Sequence, residues 1–506
     1  MPAEAQNTSR YLEVERKFDV VESTVSPSFE GIAAVDHVEK STTESLDAVY
    51  FDTPSKDLAR HKITLRRRTG GHDAGWHLKL PAGPDARTEV RAPLTTSDPA
   101  AENTVPSELL DVVLAIVRDR PVEPVARITT ERESQVLYSI DGTALAEFSN
   151  DHVTAWSGDA AGDAGSVPAE QEWREWELEL VDGNGTADNE LLSRLSNRLL
   201  DAGAAPAGHA SKLARVLGTT GKPNGTQLAS DPVHRAVKEQ VDELLLWDRA
   251  VRADSYDAVH QMRVTIRKIR SLLADSQDSF GASDNAWILD ELRELGNVLG
   301  AARDAEVLAD RYQQALDGLS PELVRGRIRE RLVEGARRRY QTGLRRSLIA
   351  MRSQRYFGLL DALDAWVAEI PAPASGEEAA PVTIDAAYKK VRKAAKAAAQ
   401  VESGAEHERD LALHRIRKRA KRLRYTAAAT GADKVSEQAK VIQTLLGDHQ
   451  DSVVSREHLS HQAEAAHTTG EDTFTYGLLY QQEADLAERC RQQLDNALRK
   501  LAKAVR

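Results

Sequence analysis

The chain has one cysteine, Cys490, in 506 residues. A lone thiol cannot close an internal disulfide, which excludes a disulfide-stapled secreted scaffold and makes a reducing cytoplasm the expected setting. No apolar run approaches the roughly 18 residues that a membrane span needs. The opening M-P-A-E-A-Q-N-T-S-R has neither the basic head nor the apolar stretch of a signal peptide. Positive charge is also in short supply. Lys and Arg number 67 against 79 Asp and Glu, and the formal net charge of -12 argues against nucleic-acid binding by the chain as a whole. Any basic face must therefore be local. What is present in quantity is apolar material, 41% of the residues, enough for more than one core in a chain of this length.

The first half reads as strands with an unusual distribution of charge. In Y-L-E-V-E-R-K-F, a period of two puts Glu13, Glu15 and Lys17 on one face and Leu12, Val14 and Phe18 on the other. Two carboxylates and an ammonium in register suit a divalent cation held beside an anion. The pattern returns on later strands. I-T-L-R-R-R-T presents Arg66 and Arg68, and W-H-L-K-L presents His77 and Lys79. R-T-E-V-R-A-P presents Arg87, Glu89 and Arg91, V-A-R-I-T-T-E-R presents Arg127, A-L-A-E-F-S-N-D presents Glu147, Ser149 and Asp151, and W-E-L-E-L presents Glu177 and Glu179. Lys212 follows in A-S-K-L-A-R-V-L. Gly70, Gly71 and Gly75 mark a hairpin turn and not a phosphate-cradling loop, because no helical pattern follows them. Two amphipathic helices, one from Pro106 and one over about 188–202 ending at Gly203, are inserted between the strands.

In a sandwich the apolar strand faces would meet and the charges would face water. Inserted amphipathic helices, however, need apolar sheet surface to cover. The expectation is a closed or nearly closed antiparallel barrel with helices packed on an apolar outside and a charged, wet, internally neutralised inside. Burying these charges without partners would cost several kcal/mol per ion.

E-V-E-R-K with Y-F-D-T-P, L-R-R-R-T-G-G, W-H-L-K-L-P and E-L-E-L resembles the CYTH domain of the triphosphate tunnel metalloenzymes, over about residues 9–218. The resemblance implies a metal site at Glu13, Glu15, Asp151, Glu177 and Glu179 that takes Mg²⁺ or Mn²⁺. It implies phosphate-gripping or catalytic roles for Lys17, Arg66, Arg68, Lys79, Arg127 and Lys212. Inorganic triphosphate is the simplest implied substrate. Class IV adenylate cyclases and thiamine triphosphatases share these motifs, so both remain alternatives.

A polar stretch over 219–231 reads as a linker. Beyond it strand patterns vanish, and a Pro- and Ala-rich break at 371–381 splits a helical region, 232–506, into halves of about 232–370 and 382–506. The halves repeat. Counting from His260 and His414, cations fall at offsets 3, 7 and 10 in both: Arg263, Arg267 and Arg270, then Arg417, Lys421 and Arg424. These offsets share one helix face. A row of like charges costs roughly 0.2–0.5 kcal/mol per adjacent pair, so a solvated helix would normally mix signs. Leu299–Asp304 aligns with Leu446–Asp451, bringing Ala302 into register with His449. Neither helix pairs its His with a second His or a carboxylate at offset 4, so a helix-borne metal site is disfavoured. No stacking aromatics interleave with the cations, which disfavours nucleic acid.

This half resembles the CHAD domain, a conserved-histidine helical domain of two pseudo-symmetric bundles. The resemblance implies binding of inorganic polyphosphate by His260, Arg263, Arg267, Arg270, Arg303, His414, Arg417, Lys421, Arg424 and His449. The fold class expected for the chain is α+β: a charged antiparallel barrel followed by an all-α region. The function expected is metal-dependent hydrolysis of inorganic triphosphate beside a polyphosphate-binding helical domain, in the cytoplasm or at polyphosphate granules. A non-catalytic, granule-associated binder of polyphosphate is the reading from another class.

Overall fold

The computed structural model of the protein describes residues 9–94, 103–157, 170–181, 189–218, 232–275, 285–368, 384–401 and 406–505. Residues 158–169, the 219–231 linker and the 371–381 break lie outside the described residues. By contact density the chain divides into two compact units, one of residues 1–265 with 351–370 and the other of residues 266–350 with 371–506.

The first unit is built on ten strands: β1 (Ser9–Val20), β2 (His37–Lys40), β3 (Glu44–Asp52), β4 (Thr64–Thr69), β5 (Gly75–Pro81), β6 (Ala86–Ala92), β7 (Glu123–Tyr138), β8 (Ala144–Ser157), β9 (Glu170–Leu180) and β10 (Ala205–Pro206). Eight of them close a ring in the order β1-β6-β5-β4-β3-β7-β8-β9 and back to β1, with every pairing antiparallel. β1 closes the ring by dividing its length: Ser9–Val14 pairs with β6, and Glu15–Val20 pairs with β9. The expected α+β class and charged barrel are what is found.

Four helices belong to the barrel's own stretch of chain: α1 (Asp57–Arg60), α2 (Ser107–Val117), α3 (Asn189–Asp201) and α4 (Lys212–Val216). α3 shows why the outside must be apolar. Its Leu191, Leu192, Leu195 and Leu199 share a face and pack on Phe18, Phe148, Trp176 and Leu178. Burying side chains of this size stabilises by about 1.5–3 kcal/mol each. The Y-F-D-T-P motif is structural: the fully buried Asp52 carboxylate accepts from the backbone N–H groups of Thr53, Leu58 and Ala59 at 2.7–2.9 Å and fixes the start of α1. α4 does something the sequence does not announce. Its Leu213 and Val216 pack with Ala48, Tyr50, Ala126, Ile128, Val153 and Ala155, residues on the inward faces of β3, β7 and β8. A short helix therefore stops one end of the barrel with apolar side chains.

α5 (Pro232–Arg252), the start of α6 (Ala258–Asp275) and α9 (Gln354–Ala368) fall in this same unit. α2 packs on α5, and Arg118 just beyond α2 pairs with Asp361 and Asp364 of α9, while Asp111 of α2 meets Arg252 at 3.3 Å and Arg352 at 2.7 Å.

The second unit holds the rest of α6, α7 (Asn285–Asp317), α8 (Gly335–Ala350), α10 (Ile384–Ala398), α11 (Glu406–Ala429), α12 (Asp433–Thr468) and α13 (Phe474–Ala504). On α11, Leu413, Ile416, Ala420, Leu423 and Ala427 recur at helical spacing and join α10, α12 and α13 in one core. A second core joins Tyr312 and Leu316 of α7 to Leu459 of α12 and Tyr476 of α13. α7 and α8 cross so closely that a Cβ on Gly343 would lie 2.7 Å from the backbone nitrogen of Ala302. Among the described residues, no helix is long and apolar enough to cross a membrane.

Candidate active site in the barrel and basic face on the helices

The inward faces of the strands enclose a cavity of about 160 Å³ whose walls are mostly ionic. Seven carboxylates line it (Glu13, Glu15, Asp73, Glu89, Glu147, Glu177, Glu179), with eight Lys and Arg side chains (Lys17, Arg66, Arg68, Lys79, Arg87, Arg91, Arg132, Lys212). Strand register explains the convergence: Glu15 lies opposite Glu179, Lys17 opposite Glu177, Lys79 opposite Glu89, and Glu147 opposite Glu179. Neighbouring strands thus bring their charged positions to common levels of the ring.

The charges are paired in a connected network. Lys17 Nζ donates to Glu15 at 2.8 Å and also to Glu177. Lys79 Nζ lies 2.7 Å from Glu13 and 3.9 Å from Glu89. Lys212, at the start of α4, reaches Asp151, Glu175 and Glu177 at 2.7–2.8 Å. Arg132 donates to Asp151 at 2.8 and 2.6 Å and to Glu177 at 2.6 Å. Opposite charges at such distances, away from water, shift ionisation strongly. Burial alone would raise the Glu15 carboxyl, yet Lys17 and Lys79 outweigh it and hold the group at about 2. Burial would lower Lys17 and Lys212, but the carboxylates around each keep it above its ordinary range.

Glu179 is the exception. Among the described residues no cation lies within ion-pair distance of it, and burial pushes its carboxyl up to about 7, with Glu13 and Glu15 adding to the effect. On the cationic side, Arg66 Nε and Arg68 Nε are buried without an acceptor. A carboxyl short of positive charge and guanidinium groups short of oxygen together fit a divalent cation with a phosphate anion. Asp151, Glu175 and Glu177 bring carboxylate oxygens within 4.8 Å of one another, a second indication that the donor set suits a hard cation.

The structure gathers Glu13, Glu15, Lys17, Arg66, Arg68, Lys79, Glu177, Glu179 and Lys212 around the cavity, with Asp151 just behind Lys212. Arg127 requires correction. It lies on the outer face, 59% exposed, with Asp47 as its ion-pair partner at 2.7 Å. Arg132, five residues on and so on the opposite face, fills the inward position. The early part of the β7 inward face is Ala126 and Ile128, apolar because α4 packs there, which makes Arg127 look like the functional side of the strand. Glu175 was also missed; it is 5% exposed and bound by Trp173 Nε1 and Lys212. The same strand parity as Glu177 and Glu179 would have found it. Buried His77 holds Glu89 through Nδ1 at 2.8 Å, and Ser134 donates to Glu147 at 2.8 Å.

In the second unit, Arg267 of the first repeat lies close enough to Lys421 of the second to depress its ammonium. Burial is the larger cause, and Arg417 and Arg424 act the same way. His414, Arg417, Lys421 and Arg424 are all half-buried along α11. Gly447 of α12 lies against the Arg417 guanidinium, which a Cβ there would touch at an ordinary contact distance of 3.4 Å. His449 is 2% exposed and 3.8 Å from Asp410, and Arg303 pairs with Glu306 at 2.8 Å. His260, Arg263 and Arg270 are half-buried on α6, in the same row as exposed Arg267 and opposite buried Met262, Ile266 and Ile269.

A CYTH-domain profile matches residues 12–200, and a CHAD-domain profile matches residues 235–460. Over 513 aligned positions the chain is 76% identical to MT2285 of Mycobacterium tuberculosis strain CDC 1551 / Oshkosh and 75% identical to Rv2226 of strain ATCC 25618 / H37Rv. Both are described as uncharacterized proteins, and each match covers all of this chain and 99% of the relative. The helical region is similar to the crystal structure of the CHAD domain from the plant Ricinus communis, at 24% identity and a TM-score of 0.40, over 53% of this chain and 90% of that one. With both profiles matched in order along the sequence, the chain belongs to the proteins that carry a CYTH domain followed by a CHAD domain.

Proposed function

We propose that the barrel hydrolyses inorganic triphosphate with a divalent metal, Mg²⁺ or Mn²⁺, and that the helical region binds inorganic polyphosphate. CYTH domains belong to a superfamily of metal-dependent phosphoryl-transfer enzymes. The observation that carries the finer reading is the balance of the cavity wall, eight cations against seven carboxylates. A pure anion-binding cleft has no use for so many carboxylates. A site for a metal together with a polyanion needs both signs.

The phosphates of the substrate would take up Arg66, Arg68, Lys79, Arg132, Lys17 and Lys212, with the arginines able to bind two oxygens at once. Glu13, Glu15, Glu177, Glu179 and Asp151 would hold the metal, whose chemistry is to neutralise developing charge on the transferring phosphoryl group. Such transfer needs little beyond positioning and charge stabilisation, both of which a rigid ring of strands supplies. Binding must exchange partners, because each lysine now held by a carboxylate has to meet phosphate as that carboxylate meets metal. In this reading the functional division follows the motifs: residues 1–218 for the tunnel, 219–231 for the linker and 232–506 for polyphosphate.

The test is phosphate release from tripolyphosphate, ATP and thiamine triphosphate with Mg²⁺ or Mn²⁺, beside Glu13→Ala/Glu15→Ala. Turnover strongest on tripolyphosphate and reduced at least about a hundredfold in the double variant is expected. No release from any of the three, with polyphosphate still retained, would leave a binding protein instead. Cyclic AMP from ATP would make it a cyclase.

A further inference from the structure

The two ends of the cavity are not alike. α4 stops the end where Tyr50, Ala126 and Ala155 lie. The β4–β5 turn stands at the other rim, since β4 runs from Arg66, opposite Tyr50, to Thr69, opposite Asp47, and then leaves the sheet. This turn is folded inwards. Gly70 and Gly71 take φ of +80° and +70°, and a Cβ on Gly70 would stand 2.1 Å from the carbonyl oxygen of Ser45. The next residues are pinned from beneath, because buried His77 bonds through Nε2 to the carbonyl oxygen of Asp73 at 3.0 Å. So placed, the Asp73 carboxylate turns into the cavity and pairs with Arg68, whose side chain is 8% exposed, with Arg91 at 3.9 Å on its other side.

We infer that Asp73 is a chain-length selector: a rim carboxylate that stands where the next phosphate of a longer substrate would emerge. The inference rests on the triphosphatase reading and deepens it. A phosphate chain bound in a cavity with one stopped end can leave only across the other rim. There it meets a fixed negative charge already bonded to a guanidinium that would otherwise hold phosphate. A triphosphate ends inside the cavity and has only to compete for Arg68. A long polyphosphate must in addition run past Asp73, against like charge. The carboxylate thus separates the short substrate of the barrel from the long polymer assigned to the helices. It touches the substrate's path rather than the reacting atoms, so it is a specificity residue.

The test compares the full-length protein with Asp73→Asn, which keeps size and loses charge, and with Asp73→Glu, which restores the charge. kcat/KM would be measured with Mg²⁺ for tripolyphosphate and for size-fractionated long-chain polyphosphate at equal concentration of chain ends. Asp73→Asn is expected to lower KM for tripolyphosphate and to narrow the preference for the short chain by about tenfold, the worth of one charge-assisted contact. Asp73→Glu should return the preference towards wild type, which a merely structural loss would not do. Equal chain-length preference in wild type and Asp73→Asn, with both hydrolysing tripolyphosphate, would overturn the selector while leaving the hydrolase reading in place. Absence of turnover in the wild type itself would overturn the hydrolase reading and the selector with it.

Discussion

The barrel and the helices both concentrate cations, and they do so by opposite means. In the barrel every lysine of the cavity stands against carboxylates, and Lys17 and Lys212 are held above their ordinary range despite burial. On the helices, Lys421 stands beside Arg267, Arg417 and Arg424 and is pushed below its ordinary value by burial and by those neighbours. One region sets its buried lysines among carboxylates, and the other sets Lys421 among cations. The difference follows from solvent access. A closed ring of strands cannot tolerate unpaired charge, whereas a half-exposed helix row loses only a few tenths of a kcal/mol per like pair.

That contrast is breakable. The largest effect is expected from Lys17→Gln, which strands Glu15 and Glu177 in the barrel wall: unfolding by urea should show a loss of about 3–5 kcal/mol. A loss within 1 kcal/mol would mean that the ring is wet enough to forgive an unpaired carboxylate.

Next comes Glu179. Burial pushes its carboxyl up to about 7 in the folded chain from an ordinary value of 4.5, so between these values the folded state binds more protons than the unfolded. Without metal, stability from this group must fall as pH rises through that window, by an amount of order 2–3 kcal/mol. Glu179→Gln should remove the fall, as read by denaturation midpoints at pH 5 and pH 8. Glu15 behaves in the opposite sense. Held at about 2, it contributes stability that is present at neutral pH and is lost as pH drops below 4.5.

The smallest effect lies on the helices. Lys421→Gln should stabilise the protein slightly in the absence of polyanion, by about 0.5 kcal/mol or less, and should weaken polyphosphate binding with a shallower salt dependence. Destabilisation by this substitution would show that favourable contacts of Lys421 outweigh its like-charge neighbours and would erase the contrast.

Much of this was legible in the chain. The alternation in E-V-E-R-K, R-R-R and E-L-E-L reported both the strand period and the side facing inward, and the inserted helices implied an apolar exterior, which Leu192, Leu195 and Trp176 bear out. The repeat after His260 and His414 marked the basic row. What failed to show was set by tertiary packing. Arg127 and Arg132 are equally good candidates by composition, and only the plug formed by Leu213 and Val216 decides which face of β7 is lined with charge and which is not. Asp73 sits in a turn, where period gives no guidance, and its inward aim depends on backbone conformations at Gly70 and Gly71.

The divided pairing of β1 has a consequence in time. β1 is made before the other strands of the ring and is the one that closes it, and its partners are Thr88 and its neighbours on β6 and, 160 residues on from Lys17, Glu177 on β9. Until β9 exists, Glu15–Val20 has backbone groups with no strand to meet, and loop closure over such a distance is slow. Charged side chains on that segment discourage it from pairing with another copy while it waits. Glu15 and Lys17, whatever they bind in the finished barrel, would then have an occupation during folding: keeping an unfinished ring from polymerising through β1.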